Sequence, residues 1–487
     1  MSLLADGDWT GSIFDGTWRP SSGGTIVVDS PATGARLAEV GMASPKDIAD
    51  IAGVAAQAQA DWAARPHGER AAVLRRAAEL WKEHADEVSR WLVRETGAVR
   101  WKAAYEVRSA AEECLEAAGL SSLPTGEVLP ANGPLLSMTR RVPVGVVAVI
   151  APANAPLKLS IRSVAPALAL GNAVVLKPDP RTPVSGGVSL ARVFEEAGLP
   201  AGVLGVAPGD AAAGAALVAD RHVQAVSFTG STGVGRVIGE QAGRRFIHQH
   251  LELGGNSALI VLDDVDLDRA VGAALQGTFF HAGQVCMASG RHLVHESLYE
   301  PFVQQLTKRA SALKAGNPEE PDVAIGPLID KRQRDHVHAV VTESRAAGAR
   351  LTTGGRYKGL FYEPTVLADA GPGVPCYDTE VFGPVASVTS FKTAESAIEL
   401  ARDSAYGLSL GILTADVARG LRMADQIPTG VAHVNDQPVN DTANAPFGGI
   451  GDSGTPARFG GPTANIDAYT TTRWITARSE IPAYQWR

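Results

Sequence analysis

The sequence predicts an α/β protein built on a parallel, doubly wound sheet. Three observations predict it: short β-rich runs alternating with helical stretches from residue 144 onward, helix-boundary signals between those runs, and a length beyond one ordinary core. With 487 residues, 45% hydrophobic and 20% charged, the chain has the usual globular mixture, which excludes a disordered or fibrous protein.

The first third reads as helices. Ser44-Pro45-Lys46-Asp47 has the form of a capping box with proline in the first turn, and Ile48, Ile51, Ala55, Ala58 and Trp62 follow along one face. A second amphipathic stretch carries Leu74, Trp81, Val88 and Trp91 and stops near Gly97, and a third spans 101–118; the aromatic residues of these helices are expected in the core. The period then changes. Strands are expected at 146–150, 173–176, 203–206 and 225–228, with Thr182-Pro183 as an N-cap and first-turn proline and with Gly171 and Gly198 as helix stops. After Leu253 a second alternating half begins, with a strand at 258–262, a helix from 266 to about 280, a strand at 292–294 and further elements to about 447. Segments 124–142 and 467–477, rich in Thr, Val and Arg, read as extended ribbon, open to pairing with another chain.

Charge and composition exclude several functions. The net charge of −8 comes from mixed acids and bases without a basic run, so nucleic acid is not an expected partner. The N-terminus lacks the basic and apolar regions of a signal peptide, and the apolar runs fall far below the ~20 residues that span a bilayer; a cytoplasmic protein with no membrane partner is expected. Three widely spaced cysteines, Cys114, Cys286 and Cys376, suit neither a disulfide framework nor a structural metal site, and leave room for one working thiol.

Three stretches carry chemistry. Phe228-Thr229-Gly230-Ser231-Thr232-Gly233-Val234-Gly235 ends a strand and opens a helix, where backbone N–H groups face a bound phosphate, although its spacing is not G-x-G-x-x-G and turn geometry alone would account for it. Gly283-Gln284-Val285-Cys286-Met287 sets a thiol in a glycine-containing turn, whereas a lone cysteine is more commonly a small core residue. In Leu251-Glu252-Leu253-Gly254-Gly255-Asn256 an acid stands between leucines before a Gly-Gly turn; apolar flanks raise a carboxyl pKa towards that of a general base, and a structural salt bridge is the competing explanation.

Together these stretches, with 168–178, Glu380-Val381-Phe382-Gly383-Pro384-Val385 and Pro446-Phe447-Gly448-Gly449, resemble the NAD(P)-dependent aldehyde dehydrogenase superfamily over nearly the whole chain. The text around 162–166, 177–182 and 408–412 is most similar to its benzaldehyde and vanillin dehydrogenase branch. The resemblance implies a Rossmann-type cofactor domain (1–123 and 143–253), an α/β catalytic domain (254–466) and an oligomerisation ribbon (124–142 and 467–487), hence a homodimer or homotetramer. It implies oxidation of an aldehyde to a carboxylic acid: Cys286 as nucleophile, Asn154 with the Cys286 backbone N–H as oxyanion donors, and Glu252 as the base for the water that cleaves the thioester. It places Lys177, Gly209, Gly230, Ser231, Leu253, Glu380 and Phe382 at the cofactor, and Ala155, Arg162, Val285 and Met287 at the substrate. The family usually has aromatic residues on both sides of the asparagine; here Pro152-Ala153-Asn154-Ala155-Pro156 has none, which implies a wider pocket for an aromatic or bulky aldehyde. Arg162 either meets a polar substituent or sits in a surface or interface ion pair. Pro180-Arg181 stands where many NAD-specific members carry a glutamate, so NAD is expected and NADP stays open. Competing readings are a coenzyme A-acylating relative, disfavoured by Glu252, a catalytically weak member acting as a binding protein, and a cysteine hydrolase without redox chemistry.

Overall fold

The computed structural model describes residues 2–5, 7–123 and 126–484, so Pro124, Thr125 and the last three residues of the expected ribbon lie outside the described residues. Four short strands open the chain: β1 (Ser12–Phe14), β2 (Trp18–Pro20), β3 (Thr25–Asp29) and β4 (Arg36–Gly41). The sequence reading passed over them because three to six residues of mixed polarity carry no clear period.

Four helices follow. The Ser44 side chain caps α1 (Pro45–Ala64) in the expected capping box with Asp47. The stretch expected to be one helix is two, α2 (His67–Glu83) and α3 (Ala85–Thr96), broken at His84, and Gly97 closes the second with φ 71°. The break turns Val88 and Leu92 into the same core as Leu74 and Trp81. In α4 (Arg100–Leu120), Trp101 is a correction: it is 53% exposed and leans on Phe280 instead of entering the core.

Strand β5 (Leu136–Pro143) belongs to the ribbon. Then β6 (Val146–Ile150), α5 (Pro156–Ala169), β7 (Ala173–Lys177), α6 (Ser189–Glu196), β8 (Leu204–Val206), α7 (Ala211–Ala219), β9 (Val223–Thr229), α8 (Thr232–Arg244) and β10 (His248–Glu252) alternate. They form a seven-stranded sheet in the order β10-β9-β6-β7-β8-β1-β2, parallel except for β1 and β2 at one edge. Every residue of β6 and β7 is buried, as strands covered on both faces require. The chain continues through β11 (Ser257–Val261), α9 (Leu267–Phe279) and β12 (Ser289–His295) into a second seven-stranded sheet, completed by Arg350–Thr353, Thr365–Ala368, Val385–Phe391, Ser409–Leu413 and Val431–Val434. No helix among the described residues is long and apolar enough to cross a membrane.

The last strand, Thr470–Ala477, pairs antiparallel with β5 along its whole length as a two-stranded ribbon that joins neither large sheet. The start of the expected second ribbon segment, through Tyr469, is instead the end of a helix, Pro462–Tyr469. Thr182 is also not an N-cap. Its hydroxyl has no partner, and the N–H groups of Val184 and Ser185 donate instead to the carboxylate of Glu95 on α3, at 2.8 and 2.7 Å. Local sequence offered a cap; a buried acid from a distant helix took its place.

Removing that acid leaves two buried N–H groups without acceptors. Glu95→Ala is therefore expected to lower unfolding free energy by about 2–4 kcal/mol in urea titration. A loss below about 0.5 kcal/mol would show that water or a shifted side chain takes over the cap.

Candidate active site

Strand direction assembles the site. In the first sheet Asn154, Lys177, Gly209, Ser231 and Glu252 end or follow β6, β7, β8, β9 and β10, so all five gather at the C-terminal edge of one parallel sheet, where α/β folds place ligands. In the second sheet Cys286 precedes β12, and Glu380 and Phe382 precede Val385–Phe391, so they gather at an N-terminal edge. The two edges face each other across a seam. The Gly254-Gly255 turn crosses it: a side chain on Gly254 would overlap the Glu380 carboxylate, and one on Gly255 would overlap the Cys286 carbonyl oxygen.

Cys286 is held by an unusual turn. After α9, His281, Ala282 and Gly283 have φ of 49°, 55° and 69°, a left-handed run in which two residues are not glycine. Gly283 admits the Gly383 carbonyl where a Cβ would otherwise stand. Buried Gln284 clamps the far side: its side chain accepts from the Ile329 N–H at 2.9 Å, and its carbonyl accepts from Asn154 Nδ2 at 2.9 Å. Cys286 then packs with Val285, Met287, Leu408, Val439, Phe447 and Phe459, which brings the expected pocket residues Val285 and Met287 to either side of the thiol. The thiol keeps part of its surface open. Burial nevertheless pushes it up to about 12, against the pull of the Arg162 guanidinium. Cys114 and Cys376 are buried core residues, as expected.

Glu252 is 1% exposed, and neither carboxyl oxygen has a hydrogen-bond partner among the described residues. Burial pushes it up to about 8, opposed by Arg162 and Arg458. The competing salt-bridge explanation is thereby set aside. Arg458 was missed in the sequence; a Cβ on Gly448 would lie 2.8 Å from Glu252 Oε1 and 3.0 Å from Arg458 Nη1, so carboxyl and cation flank one glycine. Arg162 is neither a surface nor an interface ion pair. It is buried, donates to Thr229 Oγ1 at 2.9 Å, and lies 4.1 Å from the centre of the Phe459 ring and 5.2 Å from that of Phe447. Periodicity could not locate it, because ring faces take the place of a carboxylate partner.

The cofactor candidates are also brought to the seam. Buried Lys177 donates to the Gly209 carbonyl at 2.8 Å, Glu380 accepts from the Gly255 N–H at 3.0 Å and is pushed by burial to about 7, and Phe382 has φ 50° beside Gly383. Ser231 is the N-cap of α8, yet its side chain caps nothing, so the first-turn N–H groups beyond Gly230 are left for an anion. Leu253 packs against Gly235 of that helix.

A partly open thiol and a buried carboxyl lie in one seam between a dinucleotide-type sheet and a second α/β sheet, an arrangement that suits a dehydrogenase. The aldehyde dehydrogenase family model matches residues 18–475. The chain is 62% identical to a vanillin dehydrogenase of Amycolatopsis sp. over 99% of this chain and 100% of that one, and 48% identical to a benzaldehyde dehydrogenase [NAD(+)] of Pseudomonas putida over 96% of each. The NAD+ complex of an aldehyde dehydrogenase from Bacillus cereus superposes with a TM-score of 0.93 at 35% identity, covering 96% of each chain. The chain belongs to the aldehyde dehydrogenase family, and its reaction is the oxidation of an aldehyde to a carboxylic acid.

Were Glu252 the base for water attack it would act only when ionised, so turnover limited by that step should rise with pH through an ionisation near 8 and fall about tenfold per pH unit below it. Arg458→Met removes a cation that favours the carboxylate, so the midpoint of the kcat profile should move to higher pH. A midpoint that stays in place, or moves down, would show that Arg458 does not act on Glu252.

Proposed function

We propose that the chain oxidises aromatic aldehydes of the benzaldehyde class with NAD, using Cys286, Glu252 and Asn154. One observation carries the reading: Cys286 and an unpaired, desolvated Glu252 share one buried seam, with the Asn154 amide hydrogen-bonded beside the thiol. Cys286 Sγ adds to the aldehyde carbon and gives up its proton, with ionised Glu252 as acceptor. Asn154 Nδ2 spends one N–H on the Gln284 carbonyl, and its second is available with the Cys286 backbone N–H for the oxyanion. After the carbon is oxidised, Glu252 gives the thiol's proton up to solvent and, ionised again, takes a proton from the water that attacks the thioester; the C–S bond breaks, the sulfur leaves as thiolate and is reprotonated, and the acid departs. Release to water instead of to coenzyme A follows from that base.

The residues present fit a dinucleotide. Lys177 and Glu380 would hold ribose hydroxyls, Gly230, Ser231 and the start of α8 the pyrophosphate, and Gly209, Leu253 and Phe382 its flanks; bound NAD supplies the hydride acceptor. Support for NAD comes from Arg181, which is paired with Asp179 at 2.8 Å and with Asp330 at 2.6 Å and so is committed away from a 2′-phosphate, and from the NAD named for the relatives above. The aromatic preference rests on Ala153 and Ala155 and on the substrates for which the vanillin and benzaldehyde relatives are named. A homodimer or homotetramer is proposed from the ribbon, where Trp474 and Leu136 are 69% and 47% exposed and the outer edge of the last strand has no partner among the described residues, whereas residues 127–129 cover part of the outer edge of β5.

Glu252→Gln should release about one equivalent of reduced cofactor in a first-turnover burst and then stall, because oxidation precedes the blocked water attack; unchanged steady turnover would make Glu252 structural. Across an aldehyde panel, kcat/KM should rise from acetaldehyde to benzaldehyde, and Ala155→Phe should reduce the largest aldehydes most. Equal efficiency on all of them, unmoved by that substitution, would refute the aromatic reading.

A further inference from the structure

On α5, Lys158 lies one turn before Arg162 on the same helical face, and Asn154 stands just ahead of the N-cap Ala155, so an amide, an ammonium and a guanidinium follow in a row at positions 154, 158 and 162. The ends of that row reach the thiol's surroundings, Asn154 through Gln284 and Arg162 through Phe447 and Phe459. Lys158 is buried, yet it does not serve the oxidation chemistry. Its Nζ donates to Tyr105 Oη on α4 at 2.6 Å and to Asp441 Oδ1, and Tyr105 Oη also reaches Asp441 Oδ1 at 3.3 Å. Asp441 belongs to the segment 439–447, whose end Phe447 is part of the apolar cluster against which Cys286 packs and whose other end, Val439, packs against the same cluster. The cluster thus closes the space between α4, α5 and that segment, on the thiol's side of the seam.

Its hydrogen bonding is incomplete in a matched way. An ammonium has three donors, and Lys158 uses two; a carboxylate has two oxygens, and Asp441 Oδ2 accepts nothing among the described residues and is not sealed from solvent. Lys158 thus keeps one donor, and Asp441 one carboxylate oxygen, free of partners among the described residues. Independently, Glu113, two turns along α4 from Tyr105, is only 7% exposed and takes no hydrogen bond from a described residue. It faces Lys158, Asp441 and Arg162, and burial pushes it up to about 7. Buried polar groups without protein partners are satisfied by water or by a ligand.

Resting on the reading of this pocket as one for aromatic aldehydes, we propose that Tyr105, Lys158 and Asp441 bind the phenolic hydroxyl of the substrate ring, which makes phenolic aldehydes the preferred class. A phenol offers one O–H donor and oxygen lone pairs, the complement of one free acceptor and one free N–H. The ammonium and the carboxylate offset each other, so the cluster suits a neutral hydroxyl better than a carboxylate-bearing aldehyde. An aldehyde lacking the hydroxyl leaves the paired groups unmet, which is where polar sites gain their discrimination. The role is one of specificity; none of the three residues touches the reacting carbon in this assignment.

The test compares kcat/KM for acetaldehyde, benzaldehyde, 4-methoxybenzaldehyde and 3- and 4-hydroxybenzaldehyde in the full-length enzyme, in Tyr105→Phe and in Asp441→Asn. The wild type should favour a hydroxylated aldehyde over benzaldehyde and over the methoxy compound by about tenfold or more. That ratio should fall about tenfold in Asp441→Asn and about threefold in Tyr105→Phe, chiefly through KM. If Asp441→Asn does not fold by circular dichroism, Tyr105→Phe, which deletes one oxygen, carries the test. A cluster that only ties α5 to the 439–447 segment would change all substrates alike and leave the ratio where it was, which overturns the proposal. The two readings fail differently: if benzaldehyde is used no better than acetaldehyde, the aromatic reading fails and takes this one with it, whereas good use of benzaldehyde with an unmoved hydroxyl ratio defeats this one alone.

Discussion

The close approach of backbone at Gly254-Gly255 is the constraint on which the rest depends. It lets the C-terminal edge of one parallel sheet meet the N-terminal edge of another, with the Cys286 carbonyl on one glycine and the Glu380 carboxylate on the other. A Cβ on Gly255 would push the Cys286 backbone away, and one on Gly254 would displace the Glu380 carboxylate. Opposing two edges in this way also draws candidate groups from seven separate loops or strand ends into one seam, five from the first sheet and two from the second. Cys286 comes from the second sheet and Asn154 and Glu252 from the first, while the residues proposed for the dinucleotide come from both, Lys177, Ser231 and Leu253 from the first and Glu380 and Phe382 from the second, so the site exists only where the two sheets meet.

Desolvation is the second theme. Burial raises the thiol and the Glu252 carboxyl together, so the resting seam holds neutral groups where a thiolate and a carboxylate would repel each other. Arg162 and Arg458 set the limit to this effect. Arg162 faces aromatic rings and a threonine hydroxyl, so its positive field reaches both reacting groups without being cancelled by a carboxylate in contact. A salt-bridged arginine at the same place would be electrostatically quieter.

Much of this was legible in the sequence where the signal is local. Continuous apolar runs marked β6, β7, β8 and β9, the Ser44 box marked the start of α1, and Gly171 and Gly198 marked helix ends, because each depends on a few adjacent residues. The thiol, the acid and the asparagine were legible through motifs. What escaped depends on partners far along the chain. Glu95 caps a helix that Thr182 was expected to cap, Arg162 is satisfied by rings from the last fifth of the sequence, and Lys158 finds Tyr105 and Asp441 from opposite directions. Trp101 escaped for a different reason: an aromatic residue at a helix start can lie flat on a neighbouring ring and stay wet.

The left-handed turn before Cys286 has a consequence for how the enzyme comes to be active. Two successive non-glycine residues in that region, His281 and Ala282, are unfavourable alone, and the contacts that hold the turn come from Asn154 in one lobe and from Ile329 and Gly383 in the other. The placement of Cys286 is consequently not a property of its own loop. During synthesis the residue emerges from the ribosome well before Gly383 exists, and the thiol must wait, unplaced, for chain that has not been made. Alignment of this thiol thus arrives last, as a property of the finished molecule.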